Sequence, residues 1–283
     1  MPTNYTIYIV NQSVKSQLFW AFLSEPTITN NPTVFANSST NLQIPGLSPD
    51  LNSFTIPVQY VIGAGASNNA VGLNTVITSN ATRNTDLQLL WDVSYATTPP
   101  NQGPTVPMQS SGQSPAGTIE MVTNGFDQQS NQANEWYESM SFGVKTGNGF
   151  MGVTWEPDPN KTYTITPTLT FYITVGNYSA SSLAGIDAVS VGSAELNTAT
   201  AFDFNKNCTV VYDSTGSWSH YKGLPTVGQL SAAKANIKEL LVDDTEEPMK
   251  KYSGGNDAQN KSQEPKKGTA GQDAQNRRNK GLE

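Results

Sequence analysis

The feature that most constrains the fold is a strict alternation of side chains over residues 163–175. Apolar residues or proline fill every odd position, and threonine or tyrosine fills every even one. Because successive side chains of a β-strand point to opposite faces, this period of two predicts a strand with one face in a core and a threonine-rich face outside. Pro167 has no N–H to donate, which predicts that the strand is bulged there or lies at a sheet edge.

Strand patterns recur throughout the first 222 residues. Residues 54–62 alternate in the same way, and the alternation over 202–212 places Phe202, Phe204 and Cys208 on one inward face. The nearly continuous apolar runs at 5–10 and 18–23 indicate strands buried on both faces. Weaker strand candidates lie at 71–78, 86–96, 118–123, 139–145, 150–155 and 186–191. Gly, Pro and Asn separate these runs, so we predict an all-β fold with an antiparallel β-sandwich body over residues 1–222.

One proline-rich segment interrupts this body. Residues 97–117 contain Pro99, Pro100, Pro104, Pro107 and Pro115, too many for a helix or a central strand. The segment is therefore predicted to be either a long surface loop or a linker, and the body is either one large sandwich unit or two small ones.

The character of the chain changes after the body. A connector and short helix are predicted over 223–244, because apolar residues recur at helical spacing over 228–242 and Thr226-x-x-Gln229 has the form of a capping box. From residue 245 to 283 the chain is mainly charged and amide residues with Gly, a composition that predicts a disordered tail.

The charge balance argues against nucleic acid as a partner of the body. Charged residues make up 14% of the chain, and its net charge is −7. Residues 1–220 hold five basic and 14 acidic side chains, a net charge of −9, which repels phosphate backbones.

The sequence carries no recognisable export or membrane signal. The N-terminus lacks a basic stretch followed by an apolar one, and no window approaches 18 consecutive apolar residues. The compartment is unknown from these features, and the alternatives are the cytoplasm or export by a route without a signal. With Cys208 as the sole cysteine, no intrachain disulfide forms.

Counting residues excludes most catalytic systems. His220 is the sole histidine, so a serine or cysteine nucleophile system or a zinc site of the usual ligands is not expected. Gly63-Ala64-Gly65 follows an apolar run, but Asn68 stands where a dinucleotide fingerprint needs its third glycine. We therefore predict no enzymatic activity, no cofactor and no metal.

Two clusters that combine carboxylates with aromatic rings are the candidate ligand-binding residues. In a sugar site a ring stacks on the pyranose, and carboxylate or amide groups bind the hydroxyls. The alternative is structural, with the tryptophans in the core or at its rim and the second cluster in a turn. A carboxylate-based hydrolase would also require two carboxylates across a cleft. The candidates are Glu135, Trp136, Tyr137 and Glu138 in the first cluster, and Trp155, Glu156 and Asp158 in the second.

These observations predict a non-enzymatic binding or assembly protein that recognises a carbohydrate, a cell surface or a protein partner. The first alternative is a structural or shell subunit that forms a homo-oligomer. The second is a pore-forming toxin, in which aromatic residues contact the membrane, although the net charge of −9 opposes anionic lipid. The candidate membrane contacts are Trp20, Trp136, Trp218 and Tyr221.

Overall fold

The alternating segments form β-strands that are arranged in four sheets. A computed structural model describes residues 4–77, 79–96, 104–105, 107–147 and 149–232. The predicted tail at 245–283 lies outside the described residues. The fold is all-β and sandwich-like, as the alternation predicted.

Strands are labelled in chain order, and each sheet is given in its order of pairing. The first sheet is β19 (Trp218–Lys222), β18 (Asn207–Tyr212), β1 (Asn4–Asn11) and β6 (Asn52–Pro57). The second is β10 (Met108–Gln113), β9 (Leu89–Val93), β11 (Ile119–Thr123), β14 (Thr162–Thr166) and β3 (Thr27–Ile28). The third is β16 (Ser182–Gly185), β4 (Val34–Ser38), β13 (Gly149–Trp155), β12 (Tyr137–Thr146), β7 (Tyr60–Ser67) and β8 (Ser79–Thr85). The fourth is β17 (Ala194–Asn197), β15 (Thr170–Val175), β2 (Gln17–Leu23) and β5 (Asn41–Ile44).

The pairing is predominantly antiparallel, with two parallel exceptions in the described sheets. β1 runs parallel to β18, and β9 runs parallel to β11. Short helices, α1 (Gln128–Ala133) and α2 (Ile186–Ser190), connect strands.

Strands from both sides of the proline-rich segment 97–117 pair with one another. β1 pairs with β18, β4 with β13, and β7 with β12, and one hydrophobic core takes side chains from both sides. Part of the segment was predicted to be loop or linker but forms an edge strand, β10, and no central strand. The prolines lie outside Met108–Gln113, so they remove no hydrogen bond from this strand.

The alternation at 163–175 corresponds to two strands rather than one. β14 ends at Thr166 in the second sheet, and β15 starts at Thr170 in the fourth. Pro167 cannot donate to a ladder, so the chain leaves the second sheet there and enters the fourth. The odd-numbered residues of both strands still point into the core. Residues 54–62 divide in the same way after Pro57, between β6 and β7.

Three other predicted strand features are corrected. Phe204 is 92% exposed, because Asp203 caps a turn by accepting from the backbone N–H of Asn207, and β18 begins only at that residue. Residues 186–191 contain helix α2, in which Val189 is the buried residue. Residues 71–77 are largely turns, with an isolated bridge between Val76 and Ser182.

The strand over 18–23 is buried on both faces, as its apolar run predicted. Phe19, Ala21 and Leu23 of β2 join the main core, while Trp20 and Phe22 pack in a second cluster on the opposite face.

The capping box predicted before the C-terminal helix is present. The Thr226 N–H donates to Gln229 Oε1 at 2.7 Å, and the Gln229 N–H donates to Thr226 Oγ1 at 3.2 Å. Residues 227–232 are helical, and the rest of the predicted helix lies outside the described residues. Within the described ranges, no helix has the length and apolar character needed to cross a membrane.

Candidate functional site

A groove of about 550 Å³ lies where loops of the second and third sheets meet helix α1. Amide and carboxylate side chains contribute much of its lining, and the apolar part comes from Pro32, Phe35, Val71 and Tyr163. Its polar lining residues are Asn30, Asn31, Thr33, Gln128, Glu156 and Asp158. A second depression of about 520 Å³ shares Asn31 and Pro32 with the groove.

Helix α1 positions the central carboxylate of the groove. The helix begins at Asp127, whose side chain accepts from the Ser130 N–H at 3.0 Å as an N-cap. Gln128 and Gln132 are four residues apart and therefore share one face of the helix. Their Nε2 atoms donate to Glu156 Oε1 at 2.9 Å and 2.5 Å. Both amides bind the same oxygen, which fixes the orientation of the carboxylate at the groove.

A second carboxylate, Glu138, is bound by another side chain of the same helix, Asn131. Its side chain is completely buried, and its Oε1 accepts from Asn131 Nδ2 of α1 at 2.5 Å. Burial raises the pKa of Glu138, and the neighbouring Glu156 carboxylate raises it further, while hydrogen bonds from its backbone and from Asn131 lower it. Glu138 is therefore close to the groove without being open to it.

Tyr163 and the turn after β13, which contacts α1, form another part of the groove lining. The Asp158 N–H donates to the Tyr163 hydroxyl at 2.8 Å, and the Tyr163 ring packs on Trp155 with centroids 5.8 Å apart. Burial raises the pKa of Tyr163. Asp158 itself is exposed.

The structure brings four of the seven predicted ligand-binding residues to this region: Glu138, Trp155, Glu156 and Asp158. Trp155 is fully buried, so its ring is not available to stack on a sugar, because β13 carries it into the main core. Glu135 is exposed, with a left-handed φ of 56°. Trp136 and Tyr137 are partly exposed and are not among the residues that line the groove.

Sequence reasoning did not identify the amides that line or order the groove. Asn30, Asn31, Gln128 and Gln132 come from a turn and a helix of six residues that carried no period-two pattern. Asn30-Asn31-Pro32 is a turn signal, and Asp127 is a helix start signal, but neither one indicates a ligand.

The membrane-contact candidates are mostly built into the fold. Trp20 is 1% exposed, and its indole donates to the Gly176 carbonyl at 2.9 Å. The Trp218 indole donates to the Gly192 carbonyl at 2.7 Å, and its ring packs on Tyr212. Tyr221 is about half exposed. Trp20 is therefore a core residue of this fold.

The residues considered for nucleophilic catalysis lie apart from the groove. His220 is exposed on the edge strand β19, and Cys208 is buried in β18. Burial raises the pKa of the Cys208 thiol to about 12. Among the described residues, no group of three or more His, Cys, Asp or Glu side chains is arranged to hold a metal ion.

No family model, no curated protein and no solved structure matches this chain.

Proposed function

We propose that this chain is a non-enzymatic binding protein that takes a neutral carbohydrate in the groove at Glu156. The supporting observation is the fixed Glu156 carboxylate, which two amides of α1 hold through a single oxygen. An acceptor that is oriented before binding loses less entropy when a sugar hydroxyl donates to it.

The other lining residues suit the same class of ligand. Asn30, Asn31 and Gln128 supply amide groups that both donate and accept, as sugar hydroxyls require. Pro32 and Phe35 supply apolar surface for the C–H face of a sugar ring.

Charge favours a neutral ligand over an anionic one. Within the part of the chain that the structure describes, no Lys, Arg or His lines the groove, whereas Glu156 and Asp158 do. Sulfated or phosphorylated glycans would meet like charge there and gain no compensating cation.

Glycan-array screening followed by calorimetry tests this function. We expect binding to neutral glycans and not to heparin fragments. Glu156→Gln replaces a charged acceptor, whose hydrogen bonds contribute about 1.5–3 kcal/mol. The affinity for a glycan that binds should therefore fall by about 10-fold or more.

The matched control is Glu195→Gln, which removes a carboxylate from an exposed position on β17. Its affinity should equal that of the wild type. Unchanged affinity in Glu156→Gln, or an array with no neutral ligand, would contradict the proposed site.

Self-association is a second candidate function, favoured by one specific observation. In the described sheets β19 is an edge strand that pairs on one side only. Exposed apolar residues lie on this strand or in the chain segments next to it. An unpaired edge can pair with its own copy about a two-fold axis. The exposed residues are Phe204 (92%), Tyr221 (51%), Leu224 (57%) and Val227 (80%).

Light scattering over a range of protein concentrations tests this candidate. We expect an oligomer that Phe204→Ser weakens and that Val191→Ser, at a 77% exposed position of another loop, leaves unchanged. A monomer at every concentration would rule out assembly through this edge.

A further inference from the structure

Two buried polar atoms behind the groove have no hydrogen-bond partner among the described residues. They are Glu138 Oε2 and Trp155 Nε1, and both side chains are completely buried. Buried polar groups in folded proteins are nearly always paired with protein or with ordered water, so an unpaired acceptor and an unpaired donor in one region call for a common explanation.

The strand register places these side chains close together. Met140 of β12 is directly opposite Trp155 of β13, and directly opposed residues point to the same face of a sheet. Glu138 precedes Met140 by two residues on β12, so it points to that same face and is a diagonal neighbour of Trp155. Diagonal neighbours have backbones about 7–8 Å apart, within reach of long side chains.

The two oxygens of the Glu138 carboxyl group have different surroundings. Asn131 donates to Oε1 and also to the Ala96 carbonyl at 2.9 Å, so helix α1 occupies the Oε1 side. Oε2 receives nothing from the described protein atoms.

We propose that one internal water molecule binds between Glu138 Oε2 and the Trp155 indole N–H. A water molecule has two donor and two acceptor positions, so it accepts from the indole and donates to an ionised carboxylate. If Glu138 is protonated on Oε2, the same water accepts from both groups. It therefore satisfies the pair in either protonation state, and buried waters typically make two to four such bonds.

The charge state of Glu138 is set by groups that face it from several elements. Burial raises its pKa, and Glu156 adds like charge, whereas Asn131 opposes the rise. Tyr95 is also near, and burial together with the Glu138 charge keeps the pKa of that phenol well above its ordinary value. The proposed water is thus the ligand of a buried site in which Glu138 supplies the carboxylate oxygen.

The Trp155 indole proton reports on this water directly in the wild-type protein. In ¹⁵N-labelled protein we expect a cross-peak between this proton and a long-lived water. The indoles of Trp20 and Trp91 serve as internal controls without such a peak, because they donate to Gly176 O and to Thr85 Oγ1. The resonance should shift with pH as Glu138 titrates, and this shift should vanish in Glu138→Gln.

Each alternative result is decisive. A Trp155 proton with no water cross-peak, or a crystal structure in which the indole donates directly to a protein oxygen, would overturn the site. A water peak without any pH response would place the water on Trp155 alone and would overturn the bridge. Sugar binding enters none of these measurements, so the result is independent of the proposed function.

Discussion

Glu138 and Glu156 are the same residue type and are bound by neighbouring side chains of one helix, but their environments separate their roles. Glu156 is partly exposed and bound by two glutamines, while Glu138 is buried with one partnered oxygen. Their different burial, and not their residue type, makes Glu156 an acceptor in the groove and Glu138 a buried acid.

The raised pKa of Glu138 predicts a pH-dependent stability. Since this carboxyl group ionises less readily when folded than at its ordinary value of 4.5, its contribution to stability falls as pH rises through that value to the folded pKa. The difference in melting temperature, that of Glu138→Gln minus that of the wild type, should therefore become more positive from pH 4 to pH 8. Thermal unfolding followed by circular dichroism measures it, with Glu195→Gln as the control for net charge. A difference that does not vary with pH would contradict the assignment.

Cys208 is predicted to be unreactive in the native protein. With its pKa raised to about 12 by burial, the thiol is protonated at pH 8, and only the thiolate reacts rapidly. Iodoacetamide labelling followed by mass spectrometry should be slow in buffer and fast in urea. Rapid labelling without denaturant would show that β18 opens readily.

At the scale of elements, the hairpin of β12 and β13 depends on a pair of facing glycines. Gly143 is directly opposite Gly152, and a Cβ on Gly143 would lie 2.3 Å from the Met151 carbonyl oxygen. The backbones therefore approach more closely than any side chain allows.

Gly143→Ala should consequently destabilise the fold. Overpacking typically costs about 1–3 kcal/mol, and here the obstacle is backbone rather than a side chain that can turn away. Gly147→Ala is the matched control on the same hairpin, because nothing lies within 4 Å of its added Cβ. Urea denaturation of both variants gives the difference, and equal stabilities would contradict the close approach.

At the scale of the whole molecule, the described body should unfold in one cooperative step. One core contains Tyr5 and Ile7 near the start of the chain, Met121 and Trp155 after the proline-rich segment, and Val210 near the end of the described body. Calorimetry should give a single transition with equal calorimetric and van't Hoff enthalpies. Two separable transitions would indicate that residues on either side of 97–117 fold independently.

The local part of this architecture could be predicted from sequence. The inward positions at 163–175, the double burial of 18–23 and the capping box of Thr226 and Gln229 each depend on neighbours within a few residues. Their geometry is set by the pleat of a strand or by the first turn of a helix, both of which a short segment specifies.

Only the tertiary structure decided which strands share a sheet and what surrounds each functional group. Tyr163 and Phe171 belong to one pattern yet lie in different sheets, because the break at Pro167 fixes where a ladder ends but not which strand comes next. The Glu156 site joins Gln128 and Gln132 to a turn more than 20 residues away along the chain. The sequence left Trp155 open between a ligand contact and a core residue, and it predicted Phe204 to point inward. Trp155 is buried and Phe204 is 92% exposed, because burial depends on the partner strands and turns that pack around a side chain and not on its own pattern.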